Sequence, residues 1–137
     1  MPSGNNVRGN MRFRDIDPDQ AIIKQFIPFC AKQMGMKDLP KIMIFDNPEF
    51  SMEIKAFANY NINDDVIKLN THGRQIMDTL RTLAHEMVHA AQNRGLVPAN
   101  LESTLPGEGI EHIANSLAGV IMRRWGKAHP ELFSRNN

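Results

Sequence analysis

Leu83-Ala84-His85-Glu86-Met87-Val88-His89-Ala90-Ala91 is the stretch whose reading decides the fold. It lies inside a longer helical pattern. Ile76, Met77, Leu80, Leu83, Ala84, Met87, Val88 and Ala91 recur at helical spacing, which predicts a largely buried helix from about Gly73 to Arg94. Gly95 is its expected stop. His85 and His89 stand four positions apart, so a helix stacks their imidazoles on one face, one turn apart. Two ring nitrogens so placed can reach a common metal ion at roughly 2.0–2.1 Å. Glu86 projects beside such an ion, where a carboxylate can take a proton from a water that the ion activates. A buried helix does not carry two histidines and a glutamate among apolar neighbours without compensation. A shared ion is the compensation this spacing offers.

Two imidazoles do not complete a catalytic zinc site, which takes three protein ligands and leaves one position open. Outward from the motif, Leu96 to Pro106 reads as a loop, and a further helix begins near Gly107 to Gly109 and runs to about Gly126. Ile110, Ile113, Ala114, Leu117, Ala118, Ile121, Met122 and Trp125 form its core stripe. Its first turns carry Glu108, Glu111 and His112, the candidates for the third ligand.

The run Glu111-His112-Ile113-Ala114-Asn115, on the helix after His85-Glu86-Met87-Val88-His89, resembles the gluzincin branch of the zincin metallopeptidases. The resemblance covers roughly residues 54 to 122. In size the chain is similar to the minigluzincins, which are single compact domains. More distantly it is similar to the SprT-like zincins, which share a helix, a three-stranded sheet and the motif helix but use a third histidine. The resemblance implies an α+β, zincin-like fold and a Zn2+ ion held by His85, His89 and Glu111. It also implies hydrolysis of peptide bonds in a peptide or protein substrate through a metal-activated water, with Glu86 as general base. In the family, an aspartate one turn beyond the glutamate ligand holds a zinc-binding histidine by its far ring nitrogen. Asn115 stands at that place here; its side-chain oxygen can accept the same N–H bond without the charge.

Helical geometry bears on the third ligand as well. Glu111 shares a face with Ala114, Asn115 and Ala118, and small residues there let two helices approach closely. His112 is rotated by roughly 100° from Glu111. Glu108 lies between two glycines, before or at the start of the helix. His112 and Glu108 remain alternatives to Glu111. For the second side of an oxyanion, Tyr60 and His72 are the candidates, with Arg74 and Arg81 also available.

The remaining elements fit one domain of 137 residues. Asp17-Pro18 predicts the start of a first helix, with an apolar face of Ile22, Ile23, Phe26, Ile27 and Cys30, a Pro28 that removes a hydrogen bond or kinks it, and Gly35 as its stop. Lys41 to Phe45, Ile54 to Tyr60 and Val66 to Leu69 are strands, the last two joined through Asn61 to Asp65 as an antiparallel hairpin. Pro130 to Phe133 adds a last short turn. Residues 1–10 read as a flexible polar arm, and residues 11–137 as the single zincin-like domain.

Composition bounds the function. An apolar share of 42%, a charged share of 23% and a net charge of +1 match an ordinary globule and argue against a nucleic-acid-binding domain. The single cysteine, Cys30, excludes an intrachain disulfide and reads as a small buried hydrophobe. The first ten residues lack the apolar core of a signal peptide, and no stretch approaches the roughly 20 apolar residues that span a bilayer. A soluble, cytoplasmic protein with no membrane partner is therefore expected. A competing reading is a non-catalytic zincin-fold module that binds metal as a structural or interaction part of a larger assembly, such as a viral particle. An intact Glu86 separates the two, because a purely structural metal site needs no general base.

Overall fold

The computed structural model describes residues 18–49, 57–98 and 108–131. Three helices and a three-stranded mixed sheet follow in the order α1 (Pro18–Gln33), β1 (Lys41–Phe45), β2 (Ala58–Asn61), β3 (Val66–Asn70), α2 (Ile76–Asn93) and α3 (Glu108–Ala128). This is a small α+β domain. The expected arm, the Asp17 cap, the first residues of the 54–60 strand, most of the 96–106 loop and residues 132–133 lie outside the described residues.

Helix α2 is the centre of the molecule. Leu80, Leu83, Ala84, Met87, Val88, Ala90 and Ala91 are all fully buried along it. It starts at Ile76 and not at Gly73, because Gly73 takes a left-handed φ of 69° that no α-helix contains. Gln75 precedes the helix in an extended conformation. Gly95, at φ 75°, ends it as expected. Helix α1 runs through Pro28, which sits on its exposed side. There the missing N–H leaves only one ladder bond unmade and no buried group unpaired. Helix α3 passes Gly126 and ends at Ala128.

The sheet order is β1-β3-β2, with β1 parallel to β3 and β2 antiparallel to it. The hairpin pairs Ala58 with Leu69 and Asn61 with Val66, and β3 also pairs Lys41 with Val66 on its other side. β3 is therefore the inner strand, and Ile67 and Leu69 on it are fully buried. β2 is an edge strand that lies against α2. The Asn70 N–H donates to the Phe57 carbonyl (2.7 Å), which makes that pair a hydrogen-bonded one. Antiparallel pairs alternate, so the backbone groups of Ala58 and Tyr60 point away from β3, to the side of β2 that has no strand partner among the described residues.

The three helices pack on each other through one core. Trp125 of α3 stands edge-on to Phe26 and Phe29 of α1, at centroid distances of 5.2 and 5.1 Å. Cys30 is buried in the same cluster, and burial pushes its thiol pKa up to about 12. That fits the reading of an inert small hydrophobe. Met34, Met36, Met77, Met87 and Met122 are likewise core residues. None of the described helices is long and apolar enough to cross a membrane.

One buried polar residue pins the sheet to the chain that follows it. The Asn70 side-chain oxygen accepts from the backbone N–H of Asn47 (3.2 Å) and of His72 (3.1 Å), and its amide donates to the Asn47 carbonyl (2.6 Å). Asn70→Ala leaves these three backbone groups without their partner and is expected to cost about 2–3 kcal/mol, read from urea unfolding. A cost below about 0.5 kcal/mol, the range of ordinary surface changes, would show that they pair elsewhere at no penalty.

Candidate functional site

A cleft of about 550 Å³ opens between the outer side of β2, the exposed face of α2 and the start of α3. Ala58, Asn59, Tyr60 and Ile62 line one wall, and Ile110 and Glu111 the other. His85, Glu86, His89, Gln92 and Asn93 form the floor.

On that floor the two imidazoles meet as helical spacing requires. His85 Nε2 and His89 Nε2 are 3.1 Å apart, with the rings nearly perpendicular at 85°. Glu111 closes the group from α3: one carboxylate oxygen lies 3.0 Å from His85 Nε2 and the other 3.4 Å from His89 Nε2. Donors about 2.05 Å from a tetrahedral ion stand roughly 3.3 Å apart; the two histidine nitrogens meet that spacing, each has a different Glu111 oxygen near it, and one ligand atom from each residue lies within 4.8 Å of the other two. Two imidazole nitrogens and a carboxylate oxygen are also a donor set that zinc accepts. Among the described residues His85, His89 and Glu111 are the group able to hold an ion.

Of the alternatives to Glu111, His112 is exposed and outside this group. Glu108 is the first residue of α3, and its side chain lies outside the described set. Ala114 and Ala118 are buried at the α2–α3 contact, as small residues on the Glu111 face should be.

Glu86 points to the other flank, toward the edge strand. Burial pushes its carboxyl pKa up, while the charges of His85 and His89 pull it down, and Glu111 adds repulsion. The Tyr60 backbone N–H, turned away from β3, faces this carboxylate and favours its charged form. Burial and the pull of the histidines thus act against each other on one carboxylate beside the three-donor group.

Three expected roles are not realised in this geometry. Tyr60 reaches the cleft, but its hydroxyl donates to Asp65 Oδ1 (2.6 Å) and accepts from the Asn93 amide (3.0 Å), so its single proton is not available to an oxyanion. Burial and the Asp65 bond both raise its pKa and keep the phenol neutral. His72 lies away from the cleft, with Nδ1 2.8 Å from the Asp46 carboxylate. Asn115 is exposed, and no bond from it to either histidine occurs among the described residues. Four residues along a helix add a rotation of roughly 40°, enough to carry position 115 past the edge of the interface when Glu111 already lies at that edge. Arg74 stacks on the Phe57 ring at 4.2 Å, and Arg81 lies near Met122 on the outer face of α2 and α3; neither lines the cleft.

Two features of the site are absent from the reading of the sequence. Gln92, one turn beyond His89, takes the place expected of Asn115: its side-chain oxygen is 2.8 Å from His89 Nδ1. Its spacing of three from His89 is the signal that could have marked it. The second is a brace between hairpin and helix. Asp65 takes Arg94 in a two-pronged pair, NH1 to Oδ1 at 2.9 Å and NH2 to Oδ2 at 2.6 Å. Through Tyr60 and Asn93 this brace continues to the cleft wall.

Comparison with known protein families, with curated proteins and with solved structures finds no match to this chain.

The brace carries a prediction. Arg94 and Tyr60 hold the Asp65 carboxyl below its ordinary pKa. The unfolded chain therefore takes up the Asp65 proton first as pH falls, and the stabilisation is complete above the unfolded pKa of about 3.9 and lost as pH drops through the lower folded value. Asp65→Asn is expected to cost about 1 kcal/mol at pH 7, allowing for screening by solvent, and the gap from wild type should narrow below about pH 4. Asp65 sits at φ 56°, which Asn tolerates and Ala does not, so Asp65→Ala should lose roughly 1 kcal/mol more. Urea unfolding of the three proteins at pH 7 and pH 3 measures both differences.

Proposed function

We propose that this chain is a zinc-dependent metallopeptidase that hydrolyses peptide bonds in a peptide or protein substrate. The observation that carries the reading is the convergence of His85 Nε2, His89 Nε2 and a Glu111 carboxylate oxygen, with Glu86 on the adjoining flank of the same helix. His85, His89 and Glu111 would hold the ion. Zinc bound there supplies Lewis-acid polarisation of the scissile carbonyl and lowers the pKa of water toward neutrality.

The chain's own residues supply the rest. Glu86 takes the proton of the attacking water and passes it to the leaving amine. Partial burial raises its pKa and keeps it basic enough to act, and the Tyr60 N–H favours the charged form that takes the proton. The outward backbone groups of Ala58 and the Tyr60 carbonyl offer an extended peptide the pairing that edge strands give to added strands, while the Tyr60 N–H is turned to Glu86. Ile62 and Ile110 add apolar surface along the same cleft.

The reading is separated from that of a structural metal module by Glu86. Glu86→Gln keeps the three donors and removes the base. It should retain about one zinc per chain by elemental analysis and lose at least 100-fold of the hydrolysis of an unstructured protein substrate. Full activity in this variant would remove Glu86 from the mechanism. Glu111→Ala should lose zinc far more readily than His112→Ala; the reverse order would move the third ligand to His112.

A further inference from the structure

Gln92 makes three hydrogen bonds with one amide. Its oxygen faces His89 Nδ1 at 2.8 Å, and its nitrogen faces two backbone carbonyls, Pro98 O at 3.0 Å and Ile110 O at 3.2 Å. The two ends of a side-chain amide look alike in outline, but the carbonyls decide which is which. A carbonyl oxygen can only accept, so the amide end that meets two of them must be the NH2 group, and both of its protons are then in use. The end that meets His89 is the oxygen, which can only accept. His89 Nδ1 must therefore carry a proton. A neutral imidazole has one N–H, so the lone pair of His89 lies on Nε2, the nitrogen that faces His85 and Glu111.

We propose that Gln92 is the positioning residue of the metal centre: it fixes His89 in the Nδ1–H tautomer, with the Nε2 lone pair aimed at the ion. The role in catalysis rests on the zinc reading above; the tautomer does not. The same amide sets the approach of the third ligand. Ile110 precedes Glu111, so a bond from α2 to the Ile110 carbonyl holds the first turn of α3 at the distance where Glu111 meets the histidines. The Pro98 carbonyl lies in the chain that leaves α2. One side chain thus ties a ligand on α2 both to that chain and to the first turn of α3. An amide is suited to this and a carboxylate is not, because an aspartate or glutamate could accept from Nδ1 but could not donate to either carbonyl.

The test reads the tautomer directly. With five histidines in the chain, long-range proton–nitrogen NMR correlations of the imidazole rings can be assigned by substitution of each in turn. Wild-type protein treated with chelator should show His89 with a protonated Nδ1 and an unprotonated Nε2. Gln92→Ala, confirmed as folded by its circular dichroism, should show both tautomers and bind zinc, titrated against a chelating indicator, about 10–100-fold more weakly. Gln92→Glu should keep the Nδ1–H tautomer but lose zinc affinity through its two unpaired carbonyls. The inference is overturned if wild-type His89 carries its proton on Nε2, or if folded Gln92→Ala keeps both the tautomer and the affinity of wild type. If wild type shows the Nδ1–H tautomer that Gln92→Ala loses, and neither binds zinc, Gln92 retains its positioning role and the metallopeptidase reading fails.

Discussion

Two imidazoles one turn apart can share an ion only on a helix that does not move. The rest of this structure can be understood as what holds α2 in place. Its inner face is buried without a gap from Leu80 to Ala91, and truncating any one large side chain there would cost on the order of 2–5 kcal/mol. Burial of that face leaves one outward stripe, and His85, His89 and Gln92 lie on it within a single cleft. The position of the histidines follows from the packing of residues that never touch a ligand.

The flanks of α2 divide the chemistry. On one side α3 brings Glu111 to the histidines, over a contact thin enough to need Ala114 and Ala118. On the other side the edge of β2 meets Glu86 through the Tyr60 backbone. Glu86 and His85 are adjacent in sequence but turned roughly 100° apart, so one turn of helix serves both walls. The Asp65–Arg94 pair closes the structure beyond the cleft by fastening the hairpin turn to the last turn of α2. It keeps the edge strand, and so the Tyr60 N–H, at a set distance from Glu86. Tyr60 contributes its backbone to the site and its hydroxyl to the brace.

The sequence discloses the features that depend on one helix and hides those that depend on two elements meeting. Spacing within α2 is enough to stack His85 and His89 and to set Glu86 beside them. The apolar stripe of α3 favours Glu111, because Ala114 and Ala118 mark the contact face, but leaves His112 and Glu108 open. The hairpin of β2 and β3 follows from the turn-rich Asn61 to Asp65. What the pattern does not carry is the placement of β1 parallel to β3, since no local signal names a strand's partner. Nor does it carry the loss of Asn115 from the site, because a drift of roughly 40° matters only once the width of the interface is known. Gln92 shows the same limit: its spacing from His89 is visible, but its other two partners are carbonyls on a different element. His72 is a candidate by residue type alone, and its partner, Asp46, lies 26 positions away on the chain after β1.

Every chemical role proposed for this cleft requires three donors from two helices to grip one ion. X-ray absorption at the zinc edge of the stoichiometrically loaded protein reads that grip without reference to activity. The expected spectrum has a first shell of two imidazole nitrogens and light oxygen donors, at roughly 2.0–2.2 Å, with the outer-shell scattering that histidine rings produce. A shell of oxygen alone, or one with sulfur from Cys30 or a methionine, would contradict it.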